Sequence, residues 1–197
     1  VGEHTIRSMQ YIRADKVLRL TMLLHDVAKP VCRTEGENGI HHFHGHPQVG
    51  AEMSRKILRR LKFDNDTIHR VMALVRAHDD RPPLQGRSVR RAIYRNGTGQ
   101  YPELFEVKRA DILAQSSFLQ QEKLLYVDRY EHMYQQIMEK EQCLSLKELA
   151  VNGSDLIARG IQPGKEIGEI LHQMLEKVLE EPELNEKEVL LAWYFKA

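Results

Sequence analysis

His25 and Asp26 close the apolar stretch LRLTMLLHD and are followed by Val27-Ala28-Lys29-Pro30. A neutral imidazole beside a carboxylate suits a borderline or hard divalent cation such as Mn, Fe, Ni, Co or Mg. Successive helical residues point about 100° apart, so both can lean toward one ion only beside the end of a helix. Two donors leave a coordination sphere half empty. His4, 21 residues earlier, can supply a third ligand from the preceding helix. Asp111, within Arg109-Ala110-Asp111-Ile112-Leu113, can supply a fourth, because a carboxylate among apolar neighbours is costly unless a cation compensates it. Singly, each of these residues has an ordinary structural use, as a helix-surface His or a salt-bridged Asp.

Two further histidines can reach a second ion or bind a substrate phosphate directly. His46 lies in GHPQVGAE, just before a helix opens, and His78 ends the run Val75-Arg76-Ala77-His78. Paired ions about 3.5–4 Å apart clamp both the attacking and the leaving oxygen in phosphoester hydrolysis. Lys29, three residues after Asp26, is placed to neutralise a phosphate oxygen as a point charge. His41, His42 and His44 read as exposed loop residues, and His69, His132 and His172 match no cluster.

The elements that must hold these side chains are helices, and the expected fold class is all-α. Val17, Leu20 and Leu24 form one stripe, and Met53, Ile57, Leu58 and Leu61 another. A third, Ile68, Val71, Met72 and Val75, has the three- and four-residue spacing of an amphipathic helix, and Asp64 and Asp66 sit at its positive end. Residues 87–96 read as a short basic helix ended by Asn96-Gly97, and 101–142 as two long helices. No segment alternates as a half-buried strand does, so no strand is expected. The polar, His-rich loop 33–46 is long enough to carry function. Ser145 and Glu148 have capping-box spacing and predict a helix start. A further short helical piece follows Asn152-Gly153. Lys165 onward reads as an amphipathic helix burying Ile167, Ile170, Leu171, Met174, Leu175 and Val178, and Pro182 stops it before a last helix at 186–195.

Composition narrows the partners. Hydrophobic residues make up 42% of the 197, enough for a core, and no apolar run approaches the ~18 residues that would span a membrane. Residues 1–120 carry 20 Lys and Arg against 13 Asp and Glu, whereas 145–197 carry 6 against 10. A basic front half favours an anionic partner, RNA or a phosphorylated small molecule. Cys32 and Cys143 stand far apart, which fits a reducing compartment, and VGEHTIRSM has no secretion leader, so a cytoplasmic location is expected. A candidate ligand as early as position 4 suggests a piece of a longer protein.

The order His4, His25-Asp26, Asp111, with HDVAKP, GHPQVGAE and RADILA, resembles the HD superfamily of metal-dependent phosphohydrolases. Within it, FHGHPQVGAEMSRKILRRLKF followed by Val-Arg-Ala-His is similar to the HD region of bacterial tRNA nucleotidyltransferases and poly(A) polymerase-like proteins. The stretch from LKELAVNGSDLIARG to NEKEVLL resembles that family's C-terminal tRNA-contacting segment. The resemblance implies an HD-domain helical bundle over 1–120, a connecting long helix over 121–144 and a small helical module over 145–197. It implies one or two divalent ions, with His4, His25, Asp26 and Asp111 on the first. His46 and His78 would serve a second ion or the phosphate, with Asp79 a weaker second-site ligand, and Lys29 a phosphate contact. The implied chemistry is hydrolysis of phosphomonoesters or 2′,3′-cyclic phosphodiesters by water activated at the metal, with tRNA or another RNA as partner. The family's nucleotide-adding head has a Gly-Gly turn and paired aspartates. No Gly-Gly pair occurs here, and Asp64-Asn65-Asp66 has no strand around it, so this chain is not expected to polymerise nucleotides alone. Two other readings stand beside the hydrolase. One is a non-catalytic RNA-binding body using the basic stretches 55–62 and 87–95; the other is a free-standing HD hydrolase of nucleotides.

Overall fold

Ten α-helices make up nearly all the regular structure in a computed structural model of the chain, which describes residues 2–36, 39–140 and 142–196. They are α1 (Gly2–Ser8), α2 (Lys16–Leu24), α3 (His46–Arg60), α4 (Asn65–Ala77), α5 (Gly86–Asn96), α6 (Tyr101–Ala114), α7 (Gln120–Glu139), α8 (Gly153–Ala158), α9 (Lys165–Glu180) and α10 (Lys187–Lys196). The all-α fold class is as expected. One small correction concerns strands: Thr34–Glu35 (β1) pairs antiparallel with His41–His42 (β2). Two residues per strand are too few to leave an alternating pattern in sequence. Glu37 and Asn38, within the 33–46 loop, lie outside the described residues.

The helices form two units. The first comprises Val1–Arg81 and Asn96–Arg129, the second Pro82–Arg95 and Tyr130–Ala197. In the first, α4 packs on α3 and α2, and α6 packs on α1, α2 and α4. Leu18, Met22, Leu58, Val71, Leu74, Val75 and Val107 have no exposed surface there. Burying each such side chain stabilises by about 1.5–3 kcal/mol, and this core carries the helices that hold the site. Helix starts are fixed by acidic caps. Asp15 Oδ1 accepts from the backbone N–H groups of Val17 and Leu18, and Asp64 Oδ1 from that of Thr67. Helix α3 ends differently from expectation, because Leu61 is 57% exposed and belongs to the helix cap rather than to the buried stripe. There Lys62, at φ 62°, donates to Arg59 O and Phe63 N–H donates to Leu58 O, which satisfies two terminal carbonyls.

In the second unit, α9 buries Ile170, Met174, Leu175, Val178 and Leu179. Arg90 of α5 is buried and donates to the terminal carbonyls Leu179 O at 2.7 Å and Glu180 O at 2.9 Å. Ser145–Glu148 forms a turn, not the expected helix start. Glu148 Oε2 accepts from Leu144 N–H, one residue before the serine, so the reciprocal cap never forms. The capping box instead lies at Asn152 and Asp155, opening α8.

Candidate metal centre

Six of the seven sequence-selected residues face one another at the centre of the first unit. Three of the histidines come from places where a helix begins or ends. His25 caps the C-terminus of α2, His78 caps that of α4, and His46 is the first residue of α3, entered through Gly45 at φ 76°. His4 projects from α1 and Asp111 from α6. His25 and Asp26 are buried, as are His46 and His78.

One device orients three of the imidazoles. His25 Nδ1–H donates to Met22 O at 2.7 Å, His46 Nδ1–H to Phe43 O at 2.9 Å and His78 Nδ1–H to Val75 O at 2.6 Å. Each acceptor is the carbonyl three residues back. A ring whose Nδ1 carries the proton presents the lone pair of Nε2, the state in which histidine binds metal.

These Nε2 atoms converge on Asp26. Its Oδ2 lies 3.5 Å from His25 Nε2 and 3.8 Å from His4 Nε2, while its Oδ1 lies 3.6 Å from His46 Nε2 and 3.8 Å from His78 Nε2. His4, His25 and Asp26 therefore form one trio able to hold an ion, and Asp26, His46 and His78 a second. Asp111 joins the first, with Oδ1 2.8 Å from His4 Nε2 and 3.5 Å from His25 Nε2. The donor set tests well for a cation. Asp26 Oδ1 is buried with no hydrogen-bond partner, and His46 Nε2 faces His78 Nε2 at 3.3 Å although both rings have committed their protons elsewhere. Converging buried acceptors without a donor are unfavourable, and a divalent ion would resolve the conflict.

Electrostatics reflect the crowding. Burial, then the neighbouring His25, lower the His78 pKa to about 4, so this ring is neutral near pH 7. Burial works against protonation of His25, yet Asp111 and Asp26 outweigh it and raise its pKa above the ordinary value. Burial likewise opposes ionisation of Asp111, but its contacts with His25 and His4 hold the carboxyl well below the usual range.

Lys29, the seventh residue, donates to Asp26 Oδ2 at 2.7 Å. With His46, His78, Arg81 and Asp111 it lines an open polar cavity of about 400 Å³. His41, His42 and His44 are exposed on the β1–β2 hairpin and border this cavity. Asp79 also borders it, but it accepts from Arg81 at 3.2 Å and joins neither trio. His69, His132 and His172 are exposed and lie outside both trios.

Sequence reasoning missed Gln115. Its Nε2 donates to Asp111 Oδ2 at 3.0 Å, and its Oε1 accepts from Lys123 at 2.8 Å, so it fixes the carboxylate. The available signal was its place one helical turn after Asp111.

Fold and site together define an all-helical domain built around a His/Asp cluster able to hold metal. Residues 37–194 match the family model described as tRNA nucleotidyltransferase domain 2, and the chain belongs to that family. It is 33% identical over 180 residues to the CC-adding tRNA nucleotidyltransferase of Thermus thermophilus, covering 88% of this chain and 40% of that protein. It is 30% identical over 185 residues to the A-adding tRNA nucleotidyltransferase of Deinococcus radiodurans, covering 89% and 42%. The chain thus spans about two fifths of the length of each of these relatives. Among the described residues, no helix is long and apolar enough to cross a membrane.

Proposed function

We propose that this chain is an HD-type metal-dependent phosphohydrolase domain of a tRNA-processing protein. It would hold one or two divalent ions and hydrolyse a phosphomonoester or a 2′,3′-cyclic phosphodiester in the cytoplasm. The observation that carries this reading is Asp26, whose two oxygens face two separate sets of histidine Nε2 atoms while Oδ1 has no hydrogen-bond donor. His4, His25, Asp26 and Asp111 would hold the first ion, and Asp26, His46 and His78 the second. When bound, such ions supply Lewis-acid stabilisation of phosphoryl charge and activate water.

The chain's own residues do the rest. The carbonyls of Met22, Phe43 and Val75 lock three imidazoles in one tautomer and orientation. Lys29, on the wall of the open cavity, can leave Asp26 for a phosphate oxygen, and Arg81 offers a second cation on the same wall. The relatives are named for adding nucleotides to tRNA, which supports tRNA as the macromolecular partner.

The test is metal content by elemental analysis, paired with a panel of phosphoesters, for the wild type and for His25→Ala and Asp26→Ala. Bound metal and hydrolysis should both fall, by at least about 100-fold in rate, since even outer partners of metal ligands cost 10–100-fold. Unchanged metal content and unchanged hydrolysis in both variants would sink the proposal. Salt-sensitive tRNA binding with no phosphoester turned over would select a non-catalytic RNA-binding body instead.

A further inference from the structure

Two basic stretches stand out in the sequence, 55–62 and 87–95, and the fold uses them differently. In the second unit the arginines of α5 are spent on α9. Arg87 pairs with Glu180 at 3.5 Å and Arg91 with Glu176 at 2.8 Å, while Arg90 holds the Leu179 and Glu180 carbonyls. In the first unit the cations at the end of α3 are not spent. Among the described residues, no hydrogen bond or ion pair engages the side chains of Lys56, Arg59, Arg60 or Lys62.

At about 100° per residue, Lys56, Arg59 and Arg60 fall within about 100° of arc, on the side of α3 away from buried Ser54 and Leu58. All three are exposed, as are Leu61 and Lys62 just past the helix end. The nearest carboxylates in sequence have other partners. Glu52 faces Arg55 at 2.7 Å and Arg76 at 3.8 Å, Asp64 takes Lys16 at 3.1 Å, and Asp66 takes Arg70 at 3.8 Å. The C-terminal dipole of α3 accounts for Arg59 and Arg60, but its effect fades within the last turn and does not reach back to Lys56. The patch starts about 15 Å along the helix from His46, so it is separate from the His/Asp cluster.

Four cations on one surface, with no carboxylate committed to them, fit a polyanion. Single-stranded RNA is gripped by aromatic side chains on which its bases stack, and the stretch 52–62 contains no aromatic residue. Duplex RNA is instead recognised through its phosphates and its shape. We propose that Lys56, Arg59, Arg60 and Lys62 form a docking surface for the phosphate backbone of an RNA duplex, such as a stem of the tRNA. This takes up the RNA partner of the reading above and is independent of its hydrolytic chemistry.

Fluorescence anisotropy of the full chain with a labelled RNA hairpin stem, over a series of salt concentrations, tests this. The combined change Lys56→Gln, Arg59→Gln, Arg60→Gln and Lys62→Gln should weaken binding at least about 10-fold at about 0.1 M salt. The slope of log affinity against log salt should fall by about 1 for each cation removed. Arg87→Gln with Arg91→Gln, which removes cations already paired, should leave affinity and slope as in the wild type. Thermal melts check that both variants fold. A hairpin that the wild type does not bind overturns the proposal, as does an affinity that survives the quadruple change or falls equally in the α5 variant. Tighter binding of single-stranded poly(U) than of the stem also overturns it, as does binding of phosphatidylserine vesicles with the stem unbound. Metal content and phosphoester hydrolysis, which the quadruple change should leave alone, report separately on the hydrolase reading.

Discussion

Lys108 of α6 donates to the carbonyl oxygen of His78 at 2.8 Å, and the same ammonium donates to Ala77 O at 3.2 Å and Asp80 O at 2.6 Å. A buried cation thus closes the C-terminal end of α4, where the backbone of a candidate ligand leaves the helix. Burial lowers its pKa to about 8, so the group is mostly charged at pH 7. Lys108→Met keeps the stem's volume but removes the ammonium from three carbonyls, of which Ala77 O keeps the N–H of Asp80 at 3.0 Å. Losing a buried donor costs about 1–3 kcal/mol per carbonyl, softened where water enters, so with Ala77 O still served a loss of about 2 kcal/mol is expected in urea unfolding. A loss below about 1 kcal/mol would show that water already serves these carbonyls.

The two trios can be separated by stoichiometry. His4→Ala should lower occupancy of the first site alone, and His46→Ala that of the second alone, whereas Asp26→Asn should weaken both. Elemental analysis of dialysed protein reads this as ions per chain. If His4→Ala and His46→Ala remove the same ion, the two-site reading is wrong.

Acid should weaken metal binding, and the sign follows from His25. Its folded pKa is raised, so in the metal-free protein its protonated form adds stability below the unfolded value of 6.5. That stability is lost as pH rises through the folded pKa. A protonated ring cannot ligate, so ion uptake must expel the proton. Affinity, measured by chelator competition, should therefore climb as pH rises above 6.5 and through the raised folded pKa, and then level. A flat profile would remove His25 from the ligand set.

Gln115 provides a test at one remove from the ions. Gln115→Leu removes the donor to Asp111 Oδ2 and the acceptor for Lys123. Partners of metal ligands typically contribute 10–100-fold, so metal affinity should fall within that range while the melting temperature moves little. Gln115→Glu should also weaken the site, because it sets a second negative charge against Asp111.

Lys62 holds a left-handed conformation at φ 62° that glycine adopts at no steric cost. Lys62→Gly should stabilise the fold by about 1 kcal/mol, seen as a rise in melting temperature with metal binding unchanged. A fall would mean that the lysine stem covers apolar surface at the end of α3.

Much of this site was legible in the sequence because its donors coincide with punctuation. His25 precedes Val27-Ala28-Lys29-Pro30, His46 follows a glycine and precedes a proline, and His78 stands where an apolar stripe stops. Such positions leave side chains near free helix ends. Asp111 was legible as a charge in an apolar run. The orienting contacts were not, since Met22, Phe43 and Val75 act through main-chain oxygens that no side-chain pattern reveals. Ser145 and Glu148 misled because their spacing is right but the glutamate closes onto Leu144 instead. Leu61 misled because the stripe continues in sequence one residue past Arg60, where α3 ends, before Lys62 turns the chain.

The route of the chain through its two units has a consequence for inheritance and for shortening. The path leaves the first unit after Arg81, returns at Asn96 and leaves again after Arg129. A break after Arg129 therefore keeps all of the first unit but strands Pro82–Arg95 of the second with it. A chain shortened before α9 would keep α5 but lose the Leu179 and Glu180 carbonyls that hold Arg90. The second unit is thus transmissible only with Asn96–Arg129 of the first between its two segments, so a gene fusion or deletion that keeps it must carry that stretch as well.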